Sequence, residues 1–102
     1  MRNFRTYQLA KDLYHCIREI KWPEVIIKGQ VYRASLSVVL NLSEGYGKQT
    51  PRDRRRYYQI AMGSLRETQA CLDLYTNVKA EKMADQLGAY IYRLIQNPGR
   101  FP

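Results

Sequence analysis

Residues that hold metals or act as nucleophiles are scarce in this chain. It contains one histidine, His15, and two cysteines, Cys16 and Cys71, among 102 residues. A metal site needs several His, Cys or carboxylate ligands at suitable spacing, and a disulfide framework needs more cysteines. His15 and Cys16 are neighbours on a predicted helix, so their side chains point about 100° apart and do not form a base–nucleophile pair. The sequence therefore predicts a protein that is not an enzyme and that holds no metal and no cofactor.

Long apolar runs are absent as well. No segment approaches the length of a transmembrane helix, and the first residues lack the apolar core of a signal peptide. Both cysteines fall inside apolar helical patterns, which favours reduced core residues and a reducing compartment. We therefore expect a cytoplasmic protein without a membrane segment.

The composition is that of a globular protein with an excess of positive charge. Apolar residues make up 45% and charged residues 25%, and 17 Lys and Arg against 9 Asp and Glu give a net charge of +8. A length of 102 residues fits one domain, residues 1–102. A basic surface favours nucleic acid, an anionic membrane or an acidic protein as partner, whereas evenly spread charge serves solubility alone.

Apolar residues recur at spacings of three and four in four segments, which indicates amphipathic helices. The predicted helices cover residues 3–21, 30–44, 51–78 and 80–96. Short connections between them predict an all-α, antiparallel up-down-up-down four-helix bundle. The third helix carries two adjacent apolar stripes, which is more than one bundle core needs, so we expect part of it to bury against another subunit.

Local signals predict where the helices begin and end. Asn3 is a candidate N-cap of the first helix, and Gly29 is the last breaker before the second. Gly45 and Gly47 are expected to end the second helix, because glycine tolerates the left-handed cap conformation. Thr50 is expected to cap the third helix, with a proline at the first helical position.

Polar and small residues interrupt the apolar pattern of the second and third helices. Ser37, Asn41 and Glu44 share one face of the second helix, and Gly63 lies among polar residues on the third. The predicted polar network consists of Ser37, Asn41, Glu44, Ser64 and Glu67. A network that fixes helix register is favoured over a functional polar site, because no base, nucleophile or metal ligand joins it.

A run of basic residues is the best candidate for a functional site. The predicted nucleic-acid-binding residues are Tyr46, Lys48, Arg52, Arg54, Arg55, Arg56 and Tyr57. Arginine binds phosphate through two parallel hydrogen bonds, and tyrosine offers a stacking face for a base. The alternative is an ordinary solvated face. A helix N-terminus favours anions rather than cations, so this placement is better explained if a polyanion binds there.

Three stretches around these positions resemble a known family. They are residues 33–37 (RASLS), 41–48 (NLSEGYGK) and 60–67 (IAMGSLRE). With residues 7–11 (YQLAK), they resemble the proteins encoded in intervening sequences of bacterial 23S rRNA genes, over roughly residues 5–96. That family is related to the accessory variability determinant (Avd) of diversity-generating retroelements.

The resemblance implies a four-helix bundle that assembles into a ring-shaped homopentamer without known enzymatic activity. The retroelement relatives imply a basic surface that binds nucleic acid and a reverse transcriptase. We therefore expect a non-catalytic accessory protein that binds RNA or an RNA–DNA intermediate, with RNA favoured, and that assists a reverse transcriptase. The alternative is a docking scaffold that holds a reverse transcriptase or another acidic partner and has no nucleic-acid function of its own.

Overall fold

The fold was obtained as a computed structural model, which describes residues 4–99. This range forms α1 (Arg5–Glu19), α2 (Val25–Tyr46), α3 (Pro51–Leu74) and α4 (Val78–Gln96), and it contains no strand. The all-α prediction is confirmed.

The four helices pack as an antiparallel bundle. α1 lies against α2 and α4, and α3 also lies against α2 and α4, so that each helix has two neighbours. At one end, the ring of Phe4, just before α1, stacks on Tyr46 in the last turn of α2 at 4.9 Å between centroids. The bundle measures 42 × 21 × 20 Å. This arrangement brings the starts of α1 and α3 together with the ends of α2 and α4, and we call this end the arginine end.

One apolar stripe of each helix fills the core. Its large, fully buried side chains are Phe4, Leu13, Ile17, Val31, Val38, Leu42, Tyr58, Leu65, Leu72, Leu87, Ile91 and Leu94. Cys71 is also buried and Cys16 is half-buried, and both are free thiols. Burial raises the pKa of the Cys71 thiol, with a smaller contribution from Glu67. None of the helices in residues 4–99 combines the length and the apolar composition that spanning a lipid bilayer requires.

α2 and α3 form the most extensive helix pair of the bundle. Gly45 is buried in the last turn of α2, where an added Cβ would lie 2.7 Å from Cε1 of Tyr58. The missing side chain lets the Tyr58 ring pack directly against the backbone of α2. The left-handed glycine caps predicted for this helix are wrong, because no glycine within residues 4–99 has a positive φ and Gly47 has φ −79° and ψ −8°.

Other predicted helix ends also differ from the structure, including the end of α2 at Tyr46 and the start of α4 at Val78. α2 begins at Val25, so Gly29 lies inside the helix and is exposed. One glycine costs a helix only about 1 kcal/mol, which the rest of a long, packed helix offsets. α3 ends at Leu74, since Asn77 caps α4 by accepting a 2.9 Å hydrogen bond from the Ala80 N–H. α1 ends at Glu19, and its predicted cap, Asn3, lies outside the described residues.

Candidate nucleic-acid interface

The basic run lies in the first two turns of α3 because Thr50 starts the helix immediately before it. Thr50 Oγ1 accepts a 3.2 Å hydrogen bond from the Asp53 N–H, and Pro51 occupies the first helical position. This confirms the predicted cap. A helix that begins at this point places the four arginines at the arginine end, next to Lys48 in the α2–α3 connection.

Two of the four arginines bind backbone carbonyls. Arg54 Nε donates to the Lys48 carbonyl at 2.8 Å, and one terminal nitrogen donates to the Pro98 carbonyl at 3.5 Å. Arg55 Nε donates to the Ile95 carbonyl in the last turn of α4 at 2.9 Å. The last carbonyls of a helix have no partner within the helix, and a cation there also interacts favourably with the helix dipole. Arg54 and Arg55 therefore hold α2, α3 and α4 together at this end.

The other two arginines face solvent. Arg52 and Arg56 are both exposed, and the Arg56 guanidinium carbon lies 5.7 Å from the ring centroid of Tyr57. Lys48 Nζ lies 5.1 Å from the same centroid. Cation–π contacts of this kind orient the cations while leaving their hydrogen-bond donors available. The structure thus brings Lys48, Arg56 and Tyr57 together, and Arg52 lies one turn earlier in α3.

Carboxylates neutralise little of this charge. Glu44 Oε2 lies 3.4 Å from Lys48 Nζ, and the Glu44 and Lys48 side chains are 56% and 35% exposed, so that solvent weakens the pair. Within residues 4–99, Arg52, Arg55 and Arg56 form no ion pair with a carboxylate. The arginine end therefore retains a concentrated positive potential.

The two flanking tyrosines, Tyr46 and Tyr58, face inward. One face of the half-buried Tyr46 ring stacks on Phe4. Tyr58 is fully buried, and its hydroxyl has no hydrogen-bond partner. Burial raises the pKa of Tyr58 to about 12, although the nearby Arg54 opposes the shift. Of the two tyrosines predicted for the site, Tyr57 is closer to the exposed cations, whereas Tyr46 also holds the ends of α1 and α2 together.

The predicted polar network forms only in part. Ser37 and Ser64 join α2 to α3 through an Oγ–Oγ hydrogen bond of 2.7 Å, and Asn41 Nδ2 donates to the Ser37 hydroxyl and carbonyl at 3.0 and 2.9 Å. Glu44 points outward to Lys48, and Glu67 is exposed and makes no hydrogen bond within residues 4–99. Both carboxylates are therefore exposed rather than part of a buried network. The bond between Ser37 and Ser64 links α2 to α3 at one position.

A second basic surface lies in the groove between α3 and α4, and the sequence analysis does not predict it. The groove has a volume of 460 Å³ and is lined by Arg66, Gln69, Asp85, Gly88, Ala89, Tyr92 and Arg93. These residues are scattered over two separate segments of the sequence, residues 66–69 and 85–93. The groove becomes visible only when the two helices are placed side by side.

An exposed apolar surface lies on α2 and α3. Leu36, Leu40 and Ile60 are 39%, 57% and 43% exposed, and an added Cβ on the exposed Gly63 would have no atom within 4 Å. No three His, Cys, Asp or Glu side chains within residues 4–99 lie close enough to hold a metal ion.

Comparison with known proteins confirms the family resemblance that the sequence motifs indicate. The family model described as 23S rRNA-intervening sequence protein matches residues 2–96, which is nearly the whole chain. No curated protein and no solved structure gave a significant match. Because the matched region includes all four helices, the chain belongs to the 23S rRNA-intervening sequence protein family.

Proposed function

We propose that this protein is a non-catalytic, homo-oligomeric RNA-binding accessory protein whose arginine end holds the phosphate backbone of RNA or an RNA–DNA intermediate. The observation that carries the proposal is the exposure of Arg52 and Arg56 beside Lys48 and Tyr57, with no ion pair between either guanidinium group and a carboxylate of residues 4–99. Guanidinium groups match phosphate geometry, and an adjacent aromatic ring suits an unstacked base.

The position of the cations at a helix N-terminus supports an anionic partner. The dipole of α3 places partial positive charge at its start, where Arg52 and Arg56 add two full charges. Cations at the start of a helix destabilise that helix when no anion is bound there. A bound phosphate relieves that repulsion and uses the free N–H of the first turn as well as the arginines.

Self-association would multiply the charge. The apolar surface formed by Leu36, Leu40 and Ile60 is proposed to contact another copy of the chain, since the open space above Gly63 allows a second backbone to approach closely. The homopentamer implied by the family resemblance joins five chains of +8 each, which gives +40. Light scattering should show that Leu40→Glu lowers the molecular mass to that of one chain, whereas a wild-type protein of monomer mass would contradict the assembly.

The likeness of the family to the accessory variability determinant makes a reverse transcriptase a candidate protein partner. In this proposal, the protein presents the RNA to that enzyme. The alternative function is a docking scaffold that binds a reverse transcriptase or another acidic partner without RNA.

The test compares two variants with equal loss of charge. The arginine-end variant carries Lys48→Gln, Arg52→Gln and Arg56→Gln, and it keeps the arginines that bind backbone carbonyls. The lysine control carries Lys21→Gln, Lys79→Gln and Lys82→Gln, which are exposed lysines away from the arginine end. Fluorescence anisotropy with a labelled single-stranded RNA should show at least about tenfold weaker binding for the arginine-end variant, because it loses several charge-assisted contacts. The lysine control should stay within about threefold of wild type.

Equal losses in both variants would show that net charge, rather than the arginine end, attracts RNA. Absence of RNA binding by the wild-type protein, combined with capture of a reverse transcriptase that survives nuclease and high salt, would replace the proposal with the docking scaffold. Circular dichroism and light scattering of each variant confirm that its fold and assembly are unchanged.

A further inference from the structure

The groove between α3 and α4 continues from the arginine end. Arg55 binds the Ile95 carbonyl, and the next residue, Gln96, donates from Nε2 to the Tyr92 hydroxyl at 2.7 Å. Tyr92 lines the groove at its near end. Arg52 and Arg66 are separated by fourteen positions of one continuous helix, which corresponds to about 21 Å. A strand held at the arginine end can therefore reach the groove without leaving the surface.

The walls of the groove combine cations with an exposed ring. One terminal nitrogen of Arg66 donates to Gln69 Oε1 at 2.9 Å, and the Arg93 guanidinium carbon lies 5.1 Å from the Tyr90 ring centroid. These contacts orient both guanidinium groups and leave most of their five donors available. Tyr92 is 57% exposed.

The floor of the groove suits a flat ring better than a peptide. Gly88 and Ala89 form the floor, and the lining contains no large aliphatic side chain. Peptide helices bind through apolar anchors that fill apolar pockets, and such pockets are missing here. The lining carboxylate, Asp85, accepts a 3.2 Å hydrogen bond from Gln69 Nε2, so that two cations face one engaged carboxylate. Amide and carboxylate oxygens also accept hydrogen bonds from the amino group of a base.

We infer that the α3–α4 groove is a subsite for an unpaired nucleotide, in which the base stacks on Tyr92 and the flanking phosphates bind Arg66 and Arg93. The inference rests on the proposed RNA-binding function and adds that the ligand is single-stranded. An unpaired base exposes the face that an aromatic side chain needs, whereas a base inside a duplex does not.

The first test changes the ring. Tyr92→Leu should weaken binding of a single-stranded RNA by about fivefold or more, the lower limit for the loss of one stacked base. Tyr92→Phe keeps the ring and should bind within about twofold of wild type. With a duplex RNA of the same length, both variants should bind like wild type. A loss by Tyr92→Leu that is equal for single strands and duplexes would overturn the stacking role.

The second test changes the charge. Arg66→Gln with Arg93→Gln should weaken single-strand binding more than Lys79→Gln with Lys82→Gln, although both pairs remove two charges. In the wild-type complex, irradiation of RNA containing 5-iodouridine should form a crosslink that mass spectrometry places at Tyr92. In a length series, affinity should rise until the strand spans the path of about 21 Å from Arg52 to Arg66 and should then level off.

The outcomes separate the two proposals. If wild-type protein does not bind RNA, the proposed function itself fails. If the arginine-end variant loses affinity while the Tyr92 and Arg66/Arg93 variants bind like wild type and no crosslink forms at Tyr92, the subsite alone fails.

Discussion

Replacing Gly45 with alanine tests the reason for the close contact between α2 and α3. The Cβ of an alanine at this position would lie 2.7 and 2.9 Å from two ring carbons of Tyr58 and 3.1 Å from Cβ of Tyr57. Real Cβ atoms do not approach other atoms this closely, so the α3 side chains must move. The Tyr58 ring is fully buried against Phe4, and the Tyr57 Cβ moves only with its own backbone.

Two opposing effects decide how much Gly45→Ala changes the free energy of unfolding. Glycine to alanine in a helix raises stability by up to about 1 kcal/mol, because alanine loses less backbone entropy. Overpacking a closely packed core costs about 1–3 kcal/mol. We therefore expect Gly45→Ala to lower the free energy of unfolding by up to about 2 kcal/mol. Gly29 lies in the same helix and its Cβ would contact nothing within 4 Å, so Gly29→Ala should raise stability by about 0.5–1 kcal/mol.

Thermal unfolding, followed by circular dichroism at one protein concentration, compares the stability of the two alanine variants with that of wild type. A change of 1 kcal/mol shifts the melting temperature of a chain of this size by about 4–8 °C. The two alanine variants should therefore melt on opposite sides of wild type. In a Tyr58→Leu background, Gly45→Ala should destabilise less, because the clash with the Tyr58 ring is gone and only the close contact with Tyr57 Cβ remains. A melting temperature of Gly45→Ala equal to or above that of Gly29→Ala would contradict the expected clash between the new Cβ and the Tyr58 ring.

Two further predictions concern the arginine end. Tyr58→Phe removes a buried hydroxyl that has no partner and should raise the free energy of unfolding by about 1 kcal/mol near pH 7. Since burial raises the pKa of Tyr58 from 10.0 to about 12, the folded state holds this proton more tightly than the unfolded chain. That stabilisation is complete below pH 10 and is lost as the pH rises through about 12. In denaturant titrations, the difference in unfolding free energy between Tyr58→Phe and wild type should therefore increase from pH 10 to 12. A difference that stays constant over this range would show that the pKa of Tyr58 is not raised. Arg55→Gln removes the hydrogen bond to the Ile95 carbonyl and should lower the free energy of unfolding by about 0.5–1.5 kcal/mol. Arg52→Gln should leave the free energy of unfolding within about 0.5 kcal/mol of wild type. Equal effects of the two substitutions in thermal unfolding would contradict the different roles assigned to these arginines.

The helices could be predicted because their signals are local. Apolar spacing and the Thr50–Pro51 start place α3 correctly at its first residue, and Asn97 with Pro98 correctly ends α4. The start of α2 could not be predicted, since the exposed Gly29 and the β-branched run of residues 25–27 both disfavour a helix locally. Gly45 was assigned to a helix cap because nothing in the sequence shows that Tyr58 packs against it.

The candidate site could likewise be predicted from the sequence only in part. The cluster of positive charge is contiguous in the sequence, so it could be recognised there. The sequence does not show which arginines are available to bind a ligand, because Arg55 binds the carbonyl of Ile95, a residue 40 positions away. The α3–α4 groove is invisible in the sequence for the same reason, since Arg66 and Tyr92 meet only through the antiparallel packing of two helices. Charge could be predicted from composition, but the contacts that occupy or release each cation depend on the tertiary structure.

The salt dependence of RNA binding tests the central claim most directly. For a single-stranded RNA, the logarithm of the binding constant falls with the logarithm of salt concentration by about 0.7 per neutralised phosphate. The arginine-end variant should show a slope shallower by about 2 for each bound chain, since three phosphate contacts are lost, and the lysine control should keep the wild-type slope. Parallel lines for wild type and the arginine-end variant would contradict the claim that Lys48, Arg52 and Arg56 bind the RNA backbone.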